Sequence, residues 1–83
     1  MFTETEYLEV ILKGLVKHPD YITVSKSVDE RGTLLTVDLH PDDMGVIIGR
    51  DGKTAQGIRT IMRTYGLKDG EYNRINVLIN EPR

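Results

Sequence analysis

Gly45-Val46-Ile47-Ile48-Gly49-Arg50-Asp51-Gly52-Lys53-Thr54 is the stretch whose reading decides the fold. Gly49 and Gly52 bound a four-residue turn, and the aliphatics Val46-Ile47-Ile48 lead into it. Glycine tolerates positive φ and has no Cβ to hold a ligand away from the backbone, so two short helices can meet tightly here. A helix beginning at Lys53 starts right at the turn. Its unpaired N–H groups and positive dipole end then lie beside Arg50 and Lys53, an arrangement that favours a phosphate. The bare G-x-x-G spacing carries little weight in a chain with 8 glycines, since an ordinary helix–helix turn can have it too. The elements on either side supply the weight.

Downstream, Lys53 to Tyr65 reads as an amphipathic helix. At about 100° per residue, Ala55, Ile58, Met62 and Tyr65 share one side, the expected core face. Lys53, Gln56, Thr60 and Arg63 share the opposite side, which is either a plain solvated face or one whose turn-proximal members touch a ligand. Thr54, Gly57 and Ile61 form a smooth edge between the two. That edge is either peripheral core or a self-complementary seam on which two copies pair. Gly66 and Lys68-Asp69-Gly70 end the helix, and Tyr72 to Ile79 reads as a strand with Ile75, Val77 and Ile79 on one face.

Upstream, Thr33 to His40 alternates with Leu35, Val37 and Leu39 inward. Tyr21 to Val28 alternates with Ile22, Val24 and Val28 inward, interrupted by Lys26. Glu30-Arg31-Gly32 between them makes an antiparallel hairpin. Pro41-Asp42-Asp43 reads as the entry to a short helix of about 43–48, with an Asp as its cap. Thr3 to Lys17 is expected to be a helix opened by the capping box Thr3-x-x-Glu6. Its buried stripe is Leu8, Ile11, Leu12, Leu15 and Val16. Gly14 in it costs about 1 kcal/mol relative to Ala and is either a close-packing point or simply tolerated. His18-Pro19-Asp20 ends it. The order is α-β-β-α-α-β, a single two-layer α+β domain over 1–83 with a three-stranded sheet and helices on one face.

In that order and with those motifs the chain resembles the KH type II domain, and closely the small bacterial single-KH proteins of the KhpA family. The resemblance covers nearly the whole chain. It rests on Leu12, Leu15 and Val16 before His18-Pro19, on Pro41-Asp42-Asp43-Met44-Gly45, on Val46 to Lys53, and on Ile58-Arg59-Thr60. It implies cytoplasmic single-stranded RNA binding, with the glycine turn clamping the backbone of about four nucleotides. It also implies RNA-chaperone and post-transcriptional activity and pairing with a larger KhpB (Jag or EloR) type protein. A link to cell-wall biogenesis, cell shape and division follows from the same resemblance. The candidate RNA contacts are Ile48, Gly49, Arg50, Asp51, Gly52, Lys53, Thr54 and Gln56, and the candidate dimer residues are Thr54, Gly57 and Ile61. Asp51 departs from the neutral or basic residue common at this place in the family and opposes phosphate. Gly57 is not a position where the fold needs glycine. Met44, Ile48, Leu39 and Val37 are either ordinary core or walls of a base-reading groove. Phe2, Tyr7, Tyr21, Tyr65 and Tyr72, the only aromatics, do not adjoin the turn, so a stacking platform is not expected.

Composition bounds the alternatives. With 83 residues there is room for one thin core, and 39% hydrophobic with 29% charged residues suits a folded chain. Absence of Cys excludes disulfides and thiolate metal sites. The net charge of −2 argues weakly against a nucleic-acid partner. Between Met44 and Lys68, however, Arg50, Lys53, Arg59, Arg63 and Lys68 face only one acid, Asp51. The acidic start lacks the basic residues of a signal peptide, and no apolar run reaches membrane-spanning length. Gly52-Lys53-Thr54 matches the end of a P-loop, but the first glycine of that motif would fall on Ile47. His18 and His40 stand at element ends as surface residues, and no metal-ligand spacing appears. No cofactor or catalysis is expected. A KH scaffold or ribosome-assembly factor with little RNA affinity of its own is the alternative.

Overall fold

The structure, a computed structural model, describes residues 3–67 and 74–80. Helix α1 (Glu4–Lys13) is followed by strands β1 (Thr23–Asp29) and β2 (Gly32–Asp38), helices α2 (Met44–Ile48) and α3 (Lys53–Gly66), and strand β3 (Ile75–Ile79). The sheet order is β1-β2-β3: β1 and β2 are antiparallel, and β2 and β3 run parallel. A parallel neighbour requires a crossover, and α2, the glycine turn and α3 all lie within it. The expected α-β-β-α-α-β order and α+β class are therefore observed.

Apolar alternation explains which face is covered. Leu35 and Val37 of β2 and Ile75 and Val77 of β3 point into one core with Leu8 and Leu12 of α1, Met44 and Ile47 of α2, and Ile58 and Met62 of α3. Each large aliphatic fully removed from water contributes about 1.5–3 kcal/mol. On the other face of the sheet Leu34 and Leu78 remain exposed.

The capping box is present: the Thr3 hydroxyl accepts the Glu6 N–H, and the Glu6 carboxylate accepts the Thr3 N–H at 3.2 Å. The helix nevertheless stops four residues before Lys17, with Gly14 at its C-cap. Leu15, expected on the buried stripe, is therefore off the helical register and 44% exposed, while Val16 still packs on the core.

Strand β1 starts at Thr23, after a 3₁₀ turn over Pro19–Tyr21. Ile22 and Val24 lean on the core, but Val28, expected inward, is 65% exposed. Its partner is Thr33, next to the hairpin turn. Two residues earlier, Lys26 pairs with Glu4 at the start of α1, which accounts for a lysine on the inward side of the strand. That pairing holds the Glu4 carboxyl below its usual range.

The expected Asp cap at the entry to α2 is corrected, and Asp43 has another role. Its side chain caps no helix. It is 1% exposed and accepts the Lys17 N–H at 2.9 Å on Oδ1 and the His18 N–H at 3.0 Å on Oδ2. The segment leaving α1 is thereby tied to the start of α2. Burial alone would raise this carboxyl; the two amide donors, with the nearby His18 and His40, outweigh it and hold the acid below its usual range. His40 caps the 3₁₀ turn Pro41–Asp43 that precedes α2, its Nδ1 accepting the Asp42 N–H at 3.1 Å. The expected turn at Lys68-Asp69-Gly70 and the start of the last strand at Tyr72 lie outside the described residues.

Candidate nucleic-acid interface

Helix α2 is five residues long and ends on Gly49, whose N–H reaches the Gly45 carbonyl at 2.9 Å. Gly49 has φ 75° and ψ 176°, a conformation open essentially to glycine alone. A Cβ there would also collide with Thr54, standing 2.8 Å from its backbone nitrogen. Gly52 follows with φ 75° and ψ 11°, left-handed, but a Cβ on it would meet nothing within 4 Å. The first glycine is thus required twice over, by conformation and by space; the second by conformation only.

Asp51 lies between them at φ 57° and ψ 26°, also left-handed. Asp and Asn tolerate this region better than other side-chain-bearing residues. The acid that opposes phosphate is therefore one of the few residue types this backbone accepts. Residues 49, 51 and 52 are all of positive φ, and among the described residues Gly32 in the hairpin is the only other.

From Gly52 the chain enters α3, 14 residues long. No side chain caps it, so its first-turn N–H groups lack a side-chain acceptor. Arg50, Asp51, Lys53 and Gln56 are exposed, while Ile48, Gly49, Gly52 and Thr54 are half-buried. All eight candidate contacts thus lie along one continuous stretch of turn and first helical turns. Arg50 and Lys53 form no ion pair among the described residues. Arg59 does not join them: its Nε donates to the Val77 carbonyl at 3.2 Å, which pins it across β3. Arg63 is exposed about one turn beyond Arg59, and Lys68 lies outside the described residues.

Of the four groove-wall candidates, Val37, Leu39 and Met44 are buried in the core and only Ile48 is part-exposed. Val46, not singled out from the sequence, is the exposed aliphatic of α2. With Met44 and Ile47 inward, a five-residue helix must turn Val46 outward, and that phase was available in the pattern.

The face assignments on α3 hold. Ala55, Ile58 and Met62 are buried, Tyr65 packs on the core, and Lys53, Gln56, Thr60 and Arg63 are exposed. Along the intermediate edge, Thr54 is taken up beneath Gly49. Gly57 and Ile61 remain exposed, Ile61 at 43%, and a Cβ on Gly57 would meet nothing within 4 Å. A shallow, mainly apolar groove lined by Tyr7, Thr60, Ile61, Thr64 and Tyr65 continues that edge, with the two tyrosine rings stacked at 5.0 Å.

His18 and His40, expected at separate element ends, come together. Their rings stack at 3.9 Å, and both approach Asp42. The two are 22 positions apart with the β1–β2 hairpin between them, which hid this from spacing alone. No helix among the described residues is long and apolar enough to cross a membrane.

Residues 5–79 match the family model described as KhpA/KhpB, KH domain. The chain is similar to RNA-binding protein KhpA of Streptomyces coelicolor, 44% identical over 61 residues that cover 74% of this chain and 77% of the relative. It is similar to RNA-binding protein KhpA of Leifsonia xyli, 40% identical over 68 residues, 82% of this chain and 87% of the relative. RNA-binding protein KhpA of Halalkalibacterium halodurans is 34% identical over 71 residues, 86% and 93% respectively. No solved structure gives a significant match.

Proposed function

The chain belongs to the KhpA/KhpB KH-domain family, and we propose that it is an RNA-binding protein, not an enzyme, that clamps single-stranded RNA with the turn Gly49–Gly52. The observation that carries this is the uncapped start of α3 behind a turn of positive-φ residues, flanked by exposed Arg50 and Lys53. Backbone phosphate can approach Gly52 without meeting a Cβ, accept from first-turn amides, and gain charge from both cations. Ile48 and Val46 offer apolar contact beside the turn, Thr54 and Gln56 continue the surface along α3, and sequence preference is modest. The relatives' own name, RNA-binding protein, supports the same reading.

Within it, the chain forms one KH unit and works in the cytoplasm as an RNA chaperone and post-transcriptional regulator. It pairs through Gly57 and Ile61 with a second copy or with a KhpB-type KH protein, and its targets bear on cell-envelope growth, cell shape and division. The exposed Gly57–Ile61 edge and a family model that spans KhpA and KhpB domains support the pairing. Two weak clamps on one particle raise avidity without new contacts.

The test is filter binding of a single-stranded RNA pool to wild type and to Arg50→Glu/Lys53→Glu. Both side chains are exposed and form no ion pair among the described residues, so the variant is expected to keep the fold. Affinity is expected to collapse, and the dependence of log affinity on log salt to flatten by about 0.7 for each phosphate contact removed. Equal binding by a folded variant overturns the clamp and leaves a protein-interaction scaffold as the better account.

A further inference from the structure

We propose that His18, His40 and Asp42 form a binding site for one divalent transition-metal ion of the Zn²⁺ class, apart from the glycine turn. His18 Nε2 and His40 Nδ1 approach the same carboxylate oxygen, Asp42 Oδ2, at 3.5 and 3.7 Å. One ligand atom from each of the three residues lies within 4.8 Å of the other two. Tetrahedral coordination with bonds of about 2.0–2.1 Å sets donors about 3.4 Å apart. Two edges of the triangle are therefore within a few tenths of an ångström of that spacing; the third is no longer than 4.8 Å, and closing it turns the two imidazoles out of their stack.

The chemistry of the donors selects the ion. Two imidazoles and one carboxylate suit borderline ions such as Zn²⁺, Co²⁺ or Ni²⁺. A single protein carboxylate is a poor start for Ca²⁺ or Mg²⁺, which take oxygen shells. His40 Nδ1 accepts the Asp42 N–H at 3.1 Å, so its lone pair faces the Asp42 segment. Metal capture exchanges that hydrogen bond for a coordinate bond. The Asp42 side chain is 70% exposed, which leaves an entry path and room for a water as fourth ligand.

The site is held in place by parts of the fold that do not depend on a metal. The buried Asp43 carboxylate takes the backbone N–H groups of Lys17 and His18, so His18 is fixed to the segment that bears His40 and Asp42. Tyr21 packs edge-on against both rings, at 4.6 Å from His40 and 5.9 Å from His18, and restricts their orientation. An ion bound here would bridge the segment after α1 to the one before α2, and so stabilise the native chain by mass action.

The experiment uses the full chain without a histidine tag. Zn²⁺ is titrated by calorimetry, and Co²⁺ is followed by its visible absorption, which is intense only in low-coordinate sites. Expected are one ion per chain, changes in the NMR signals of the His18 and His40 rings, and a melting temperature raised by on the order of 10 °C at hundredfold excess over Kd. Mg²⁺ should produce none of these. His40→Gln and Asp42→Asn are each expected to weaken Zn²⁺ binding at least tenfold. Should His40→Gln fail to fold, Asp42→Asn decides, since that side chain is largely in solvent. Absence of Zn²⁺ binding by wild type, or undiminished affinity in a folded Asp42→Asn protein, overturns the proposal.

Discussion

Gly49 packs directly on Thr54: a Cβ at position 49 would stand 2.8 Å from the Thr54 backbone nitrogen and closer still to its side chain. Gly49→Ala therefore meets two costs, the glycine-only conformation, about 1–3 kcal/mol, and the collision. Melting temperature is expected to fall by on the order of 10 °C, with RNA binding lost because the turn is reshaped. Thr54→Ala removes only the hydroxyl from the collision and leaves the Thr54 Cβ and backbone nitrogen in place. In the double variant it should recover part of the loss, a coupling that a double-mutant cycle reads directly. Gly52→Ala meets only the left-handed cost, about 1–2 kcal/mol, and should be the milder change in stability.

Asp51 separates the needs of the backbone from those of the ligand. Its left-handed conformation suits Asp or Asn, while its charge opposes phosphate. Asp51→Asn keeps the first and removes the second. Stability should be unchanged, and affinity for single-stranded RNA should rise by up to about fivefold, the worth of an exposed charge interaction. Fluorescence anisotropy at low salt checks this; the gain should shrink as salt rises. Unchanged affinity at low salt would place residue 51 away from the phosphates.

Local pattern made much of this legible. The inward residues of β2 follow from alternation, and the core face of α3 from its period; Ala55, Ile58 and Met62 are all buried. The glycine turn is legible because φ is a local property. Leu15 and Val28 mislead because periodicity does not report where cover ends: one lies past the end of a helix, the other beside a hairpin turn. The pair Asp42-Asp43 points to a cap because an acid before a helix usually is one, yet Asp43 serves elsewhere. Its partners are 25 and 26 residues away and follow only from the way α1 returns to α2. The His18–His40 stack was hidden for the same reason.

Asp43 gives the fold a pH dependence of known sign. Its two amide donors hold the folded carboxyl below the ordinary Asp value of about 3.9. In the window between the folded and unfolded values the unfolded chain binds the extra proton, so stability rises with pH there. The contribution is complete above the unfolded value and is lost as pH falls through the folded one. Urea unfolding between pH 2 and pH 6 should show this loss in wild type. Asp43→Asn puts an amide where two N–H donors converge, so one acceptor is lost. It should be less stable at pH 6 and flatter toward acid; equal slopes in the two proteins would remove Asp43 as the source.

Gly57 and Ile61 make opposite predictions for the isolated fold and for a pair. Within one chain nothing requires glycine at 57: the space around a Cβ is open, and a mid-helix glycine costs about 1 kcal/mol relative to Ala. For a monomer, Gly57→Ala should therefore raise the melting temperature by about 4–8 °C. If the α3 edge is a seam between two copies, a larger residue at 57 holds the helices apart. Gly57→Leu should then weaken association even though the helix itself gains. Ile61→Lys places a charge on the same edge without disturbing the core, because the side chain is already 43% exposed. Sedimentation of the three variants against wild type separates the cases. Dimers lost in Ile61→Lys and Gly57→Leu, with each chain still folded, assign the edge to pairing. An oligomeric state unchanged in both leaves Gly57 a tolerated defect and Ile61 an ordinary rim residue.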